Sequence, residues 1–106
     1  MVGAFNEQLR AGVSGEAKVL YVDVAAISRD QATNPGPYGL TNTTSPACDL
    51  SPDKNPLGNS LGCSKNNLIS GDVSHYMFAD SVHPSPFEYS LLARYVLEQM
   101  TVKGWL

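Results

Sequence analysis

Charge is what this sequence has least of. Only 16% of its 106 residues are Asp, Glu, Lys or Arg, and the seven Lys and Arg are scattered, leaving a net charge of -3. That argues against a nucleic-acid partner, because affinity for a phosphate backbone comes from clustered basic side chains. Long apolar runs are missing too. None approaches the roughly 18 consecutive residues of a membrane-spanning helix, so no transmembrane segment is expected. Met1-Val2-Gly3-Ala4 lacks the basic start and apolar stretch of a secretory leader, so an exported precursor is expected to carry its leader upstream. Histidine and cysteine are sparse. His75 and His83 stand eight residues apart, across a predicted strand and turn. Even with Asp72 and Asp80 nearby this matches no recognised ligand spacing, and two cysteines alone do not make a zinc site. Neither a metal nor a cofactor is expected.

What the chain does have is 42% hydrophobic residues, an ordinary globular share and enough for one small domain. Val2, Phe5, Leu9 and Val13 recur at helical spacing, which predicts a helix over residues 2–11 with Gly12 as its C-cap. Lys18 to Val24 is nearly continuous in β-branched and aromatic residues. It reads as a strand buried on both faces of a parallel sheet. Asp23, at its C-terminal end, stands where open α/β sheets bind ligands, but capping the next helix is the plainer role. That helix is predicted from Val24 to about Ala32, stopped by Asn34-Pro35-Gly36-Pro37.

From residue 38 to 68 the chain carries mostly Pro, Gly, Asn, Ser and Thr. Cys48 and Cys63 flank much of this excursion. So placed, they read as one disulfide in an oxidising compartment, worth about 3 kcal/mol for a loop of about 15 residues. The alternative is two free buried thiols in a cytosolic protein. Tyr38, Leu40, Leu57 and Leu61 either anchor this loop or form an apolar flap over a site. Asn42-Thr43-Thr44 is a glycosylation sequon by pattern. A short strand is predicted at Tyr76-Met77-Phe78. A final helix is predicted over 86–102, with Ser85-x-x-Glu88 as a capping box and Pro86 at its first position. Phe87, Leu91, Leu92, Tyr95, Val96 and Met100 make its apolar stripe.

Between that strand and that helix lies Asp80-Ser81-Val82-His83-Pro84. His is the usual general base at neutral pH, and a carboxylate three residues away can fix its tautomer and stabilise the imidazolium. With its flanks, Tyr76-Met77-Phe78-Ala79-Asp80-Ser81-Val82-His83-Pro84 resembles the C-terminal catalytic block of the GDSL/SGNH esterases and lipases, in the form carried by their bacterial secreted and outer-membrane branch. The resemblance implies a three-layer α/β/α SGNH-hydrolase (flavodoxin-like) fold, of which residues 1–106 make the C-terminal half only. Residues 38–68 are then a disulfide-pinned loop insertion and 86–102 the C-terminal helix. It also implies Asp80 and His83 as triad acid and base. The family's nucleophile, a Ser in Gly-Asp-Ser, is missing. Gly71-Asp72 is followed by Val73, Gly58-Asn59-Ser60 has the wrong middle residue, and no Gly-x-Asn-Asp occurs to complete an oxyanion hole.

The resemblance implies hydrolysis of a carboxylic ester (lipid, short acyl ester or acetylated sugar) by a secreted, periplasmic or cell-surface enzyme. The missing Ser is expected from the N-terminal half of the same domain, the chain otherwise pairing with a second copy of itself, and the chain alone is expected to be inactive. No barrel-forming sequence follows Leu106, so no C-terminal membrane anchor is expected. Two other readings compete: a non-catalytic secreted binding module, and an acyltransferase of the same family.

Overall fold

Three helices and two short strands make up the molecule. Helix α1 spans Val2–Val13, α2 Val24–Thr33 and α3 Pro86–Lys103; strand β1 spans Asn42–Pro46 and β2 Tyr76–Phe78. Single 3-10 turns occupy Gly36–Tyr38 and Ser60–Gly62. The structure, a computed structural model, describes residues 1–106.

The helix boundaries are set by local chemistry. Asp23 is an N-cap: its Oδ1 accepts from the Ala26 N–H at 2.9 Å. Such a cap stabilises a helix by about 1 kcal/mol. α2 ends at Asn34, whose N–H donates to the Asp30 carbonyl, just before Pro35. α3 opens at Ser85, whose Oγ accepts from the Glu88 N–H at 3.1 Å, with Pro86 in the first turn. It closes at Gly104, where φ is +88° and the N–H reaches back to the Met100 and Thr101 carbonyls. That left-handed conformation is the reason for glycine there. α1 runs through Gly12 and ends at Ser14.

β1 and β2 pair in parallel, Asn42 opposite Tyr76 and Pro46 opposite Phe78. Four steps on β1 match two on β2, so the ladder carries a bulge. Backbone bonds extend the pairing at both ends: Thr41 N–H to His75 O at 3.0 Å, Ala47 N–H to Phe78 O at 2.9 Å, and Cys48 N–H to Ala79 O at 3.0 Å. Parallel neighbours need a long crossover, usually a helix. Here the crossover is irregular chain closed on itself by the Cys48–Cys63 disulfide. β1 therefore lies inside the stretch expected to be loop throughout.

The expected strand at Lys18–Val24 is corrected. Lys18 lies in a turn, residues 19–23 have no regular structure and no sheet partner, and Val24 already opens α2; the only nearby backbone bonds are local, Val19 N–H to Glu16 O and Val24 N–H to Val22 O. Leu20, Tyr21 and Val22 are half-buried and Val19 is exposed. β-branched composition favours a strand, but a strand forms only where another backbone accepts its N–H and C=O groups. Nothing in these 106 residues does so here. The three-layer sheet is reduced accordingly to two strands with α3 against β2.

The molecule is loosely closed. Its radius of gyration is 16.6 Å, where a compact 100-residue domain has about 13 Å. α1 buries none of its side chains, and Val2 and Phe5 are mostly exposed. The apolar stripe of α3 is only half-buried at Phe87, Leu91, Leu92, Tyr95, Val96 and Met100. Only nine residues are buried, and five of those are polar: Gln31, Asn55, Asp80, Ser85 and Glu88. Leu40, Ala47, Cys48 and Met77 are the apolar remainder. Leu40 thus anchors its loop, whereas Leu57 and Leu61 face solvent.

The capping box is half-formed. The Ser85 N–H donates to the Met77 carbonyl at 2.9 Å, so it has no need of a carboxylate. Glu88 turns inward instead, 2% exposed, and neither of its oxygens accepts a hydrogen bond. Burial pushes its carboxyl up from 4.5 to about 7, with the neighbouring Gln31 amide pulling weakly the other way. A raised acid pKa means that the folded state holds this proton more tightly than the unfolded chain does. Glu88's contribution is therefore most favourable below pH 4.5, falls as pH rises toward about 7, and is level above. Thermal melting between pH 4.5 and 7 should show this decline in the native chain, and Glu88→Gln should flatten it.

Candidate active site

β2 delivers the chain to a tight turn. Phe78 pairs with Pro84 in an isolated antiparallel bridge, and the Ala79 N–H donates to the His83 carbonyl at 2.9 Å. Asp80 through His83 are thus folded between the end of a strand and the start of α3. The Ser85 N–H bond to Met77 and its Oγ bond to the Tyr76 carbonyl tie the far end of the turn back to β2. Pro84 and Pro86 stiffen the exit.

Inside the turn, Asp80 is 2% exposed and its carboxylate is surrounded by donors. Oδ1 accepts the backbone N–H of Val82 at 2.9 Å and of His83 at 2.7 Å. Oδ2 accepts the backbone N–H of Ser60 at 2.6 Å, from twenty residues earlier in the chain. The His83 ring completes the set, with Nδ1 at 2.8 Å from Oδ2 and 3.1 Å from Oδ1. Burial alone raises the Asp80 carboxyl. The N–H groups of His83, Val82 and Ser60, with the His83 ring, outweigh burial and hold it well below the usual carboxylate range. Asp80 is thereby favoured as the carboxylate, the form that accepts from the His83 ring.

A carboxylate accepting from Nδ1 leaves Nδ1 as the protonated nitrogen and Nε2 as the one with a lone pair. The Asp80 carboxylate is the ring's only hydrogen-bond partner in the chain, and the His83 side chain is 55% exposed. The ring borders a half-open cavity of about 630 Å³, walled by Cys48, Cys63, Leu68, Val73 and Phe87. The arrangement can take a proton from a group arriving at Nε2, with a mostly apolar surface beside it.

The structure brings Asp80 and His83 together, as the Asp-x-x-His spacing requires. Cys48 and Cys63 are bonded, with Cα atoms 5.9 Å apart. His75 lies elsewhere: its ring stacks on Phe87 at 4.1 Å and its Nδ1 donates to the Gly39 carbonyl at 2.8 Å. It fixes the 3-10 turn before β1 to the start of α3. Sequence reasoning missed the Ser60 N–H, the one donor to Asp80 from outside the turn. A backbone donor carries no side-chain signature. Only the polar density of Asn55-Pro56-Leu57-Gly58-Asn59-Ser60 hints at an ordered turn there.

The chain is 35% identical over 103 residues to GDSL esterase/lipase At2g40250 of Arabidopsis thaliana, a match covering 91% of this chain and 27% of that protein. GDSL esterase/lipase At1g58430, from the same plant, is 31% identical over 99 residues, covering 93% of this chain and 26% of the relative. GDSL esterase/lipase At1g06990 is 27% identical over 93 residues. The curated relatives are thus GDSL esterase/lipases. The chain spans about a quarter of their length, matching their C-terminal part. No family model and no solved structure matches.

The Asp80 geometry predicts an acid-labile fold. A depressed carboxyl contributes stability that is complete above its ordinary value of 3.8 and is lost as pH falls below it. Melting followed from pH 5 to pH 2 should show this loss. Asp80→Asn should melt lower at pH 5 and lose less between the two.

Proposed function

We propose that this chain supplies the acid and base of a serine ester hydrolase. Asp80 orients His83, and the nucleophilic Ser belongs to a Gly-Asp-Ser segment of the same domain outside these 106 residues. The observation that carries the reading is the buried, ionised Asp80 held 2.8 Å from His83 Nδ1, with Nε2 left unbonded. The likeness to GDSL esterase/lipases across some nine-tenths of the chain supports the same chemistry.

In the first half-reaction, His83 Nε2 takes the proton of the incoming Ser as its oxygen attacks the ester carbonyl. The imidazolium formed is stabilised by Asp80 across Nδ1–H. His83 then gives that proton to the departing alcohol, leaving an acyl-enzyme. A water, deprotonated by the same nitrogen, releases the acid. The substrate is a carboxylic ester, and the apolar cavity beside His83 suits an apolar group on its acyl or alcohol side. The disulfide supports an exported protein, secreted, periplasmic or at the cell surface. No helix is long and apolar enough to cross a membrane. The relatives named above are plant proteins; the likeness to the bacterial secreted and outer-membrane branch rests on the Tyr76–Pro84 block alone.

The exposed α1 face and the lack of a sheet partner at 19–23 support an arrangement in which this chain folds against the rest of a domain. The test is turnover of a chromogenic short-chain ester by the chain alone and then with the nucleophile-bearing segment added. The chain alone should be inactive and the combination active. In the combination, His83→Ala should remove nearly all activity. Asp80→Asn should lower kcat by up to about 10⁴-fold, because it favours the wrong tautomer. Activity within tenfold of native after His83→Ala would place the base elsewhere, and robust turnover by the lone chain that is lost on changing Ser60 or Ser81 would place the nucleophile inside it.

A further inference from the structure

The Ser60 N–H that reaches Asp80 belongs to a peptide group held from its other side. A trans peptide is planar, with its C=O and N–H pointing in opposite directions. The carbonyl of the Asn59–Ser60 peptide accepts from the Asn55 side chain, Nδ2 to Asn59 O at 2.8 Å. The N–H of that same peptide donates to Asp80 Oδ2 at 2.6 Å. Oδ2 is also the oxygen nearer His83 Nδ1. One unbroken series of hydrogen bonds therefore runs from the Asn55 amide, through a single peptide group, to the carboxylate and on to the imidazole.

Asn55 is built into its place. It is 1% exposed, in a stretch of chain that otherwise faces solvent at Asp53, Lys54, Pro56 and Leu57. Its Oδ1 accepts from the Gly58 N–H at 3.1 Å, which fixes which end of the amide is the donor. Its own backbone N–H donates to the Ser51 carbonyl at 2.8 Å. Position 62 must be glycine for this to fit, because a Cβ there would overlap the Asn55 side-chain oxygen. The neighbouring carbonyls are used as well: Asn67 Nδ2 donates to Gly62 O at 2.7 Å and to Lys54 O at 3.0 Å. The disulfide to Cys48 closes the loop one residue after the 3-10 turn.

We propose that Asn55 is a positioning residue for the Asp80–His83 pair, acting through the Asn59–Ser60 peptide; this rests on the catalytic reading above. The disulfide-closed loop is then the part of the fold that sets the rotation of the acid. The two donors from the turn itself hold Oδ1, and the loop alone supplies the backbone donor to Oδ2. Hydrogen bonds in series polarise one another, so a donor on Asn59 O makes the Ser60 N–H a better donor to Asp80. Asn55 touches neither substrate nor reacting atoms.

Two measurements test this. The first uses the native chain alone and needs no activity. As pH is varied through the titration of the His83 ring, the Ser60 amide proton and the Asn55 side-chain amide protons should shift with the ring's own midpoint. An Asn55 amide that stays silent while Ser60 follows would end the series at the peptide and overturn the proposal. The second uses Asn55→Asp, which keeps the shape but puts an acceptor where the donor was, in the chain combined with its nucleophile-bearing segment. kcat should fall about 10- to 100-fold, by analogy with the loss on removing the groups that orient a metal-bound histidine from behind, with KM within about twofold and the disulfide intact. An unchanged kcat in a folded Asn55→Asp would also overturn it. A native combination with no turnover would count against the hydrolase reading, and the coupled amide shifts would still decide the role of Asn55.

Discussion

A carboxylate taken out of water must find donors for its oxygens, and Asp80 is where this chain meets that demand. Desolvating an ion costs several kcal/mol even after relaxation. Three backbone N–H groups and an imidazole repay it here. The requirement organises much of what lies around it. Val82 and His83 can donate only if residues 80–83 fold into a tight turn. That turn is held by the β2 end on one side and the start of α3 on the other. Ser60 can donate only if the crossover between the strands comes back to the same place. Three of the five buried polar residues belong to this arrangement: Asp80 itself, Ser85 at the exit of the turn and Asn55 behind the Ser60 peptide.

Features with a local cause were legible in the sequence. Asp23 caps α2 and Ser85 caps α3 because a short polar side chain meets free N–H groups at any helix start. The Pro-rich stop after α2 and the glycine after α3 acted as steric chemistry requires. Tyr76-Met77-Phe78 forms a strand, and the three-residue spacing of Asp80 and His83 closes into one turn. The Cys48–Cys63 bond joins residues that bracket a stretch without a core. Features that depend on distant partners were not legible. Lys18–Val24 has strand composition but no neighbouring backbone. Asn42–Pro46 has little strand character and yet pairs with β2, a partner more than thirty residues away in sequence. Glu88 matches a capping-box pattern, but the Ser85 N–H was already taken by Met77.

Much of the remaining surface is uncovered. α1 has no buried residue, α3 half-buries its stripe, and the sheet has only two strands. The site is different. Asp80, the His83 ring and the loop behind them are joined by hydrogen bonds within these residues. Two oppositely shifted acids sit close in sequence for different reasons: Asp80 is buried among donors, which lowers its pKa, and Glu88 is buried with almost none, which raises its pKa.

The claim beneath all of this is that Asp80 fixes the tautomer of His83. Nitrogen NMR of the ring, on the folded chain at a pH where the imidazole is neutral, tests it most directly. The account predicts a proton on Nδ1 and a lone pair on Nε2, a preference lost in Asp80→Ala. A neutral ring with its proton on Nε2, or with both nitrogens averaged as in free imidazole, would contradict it.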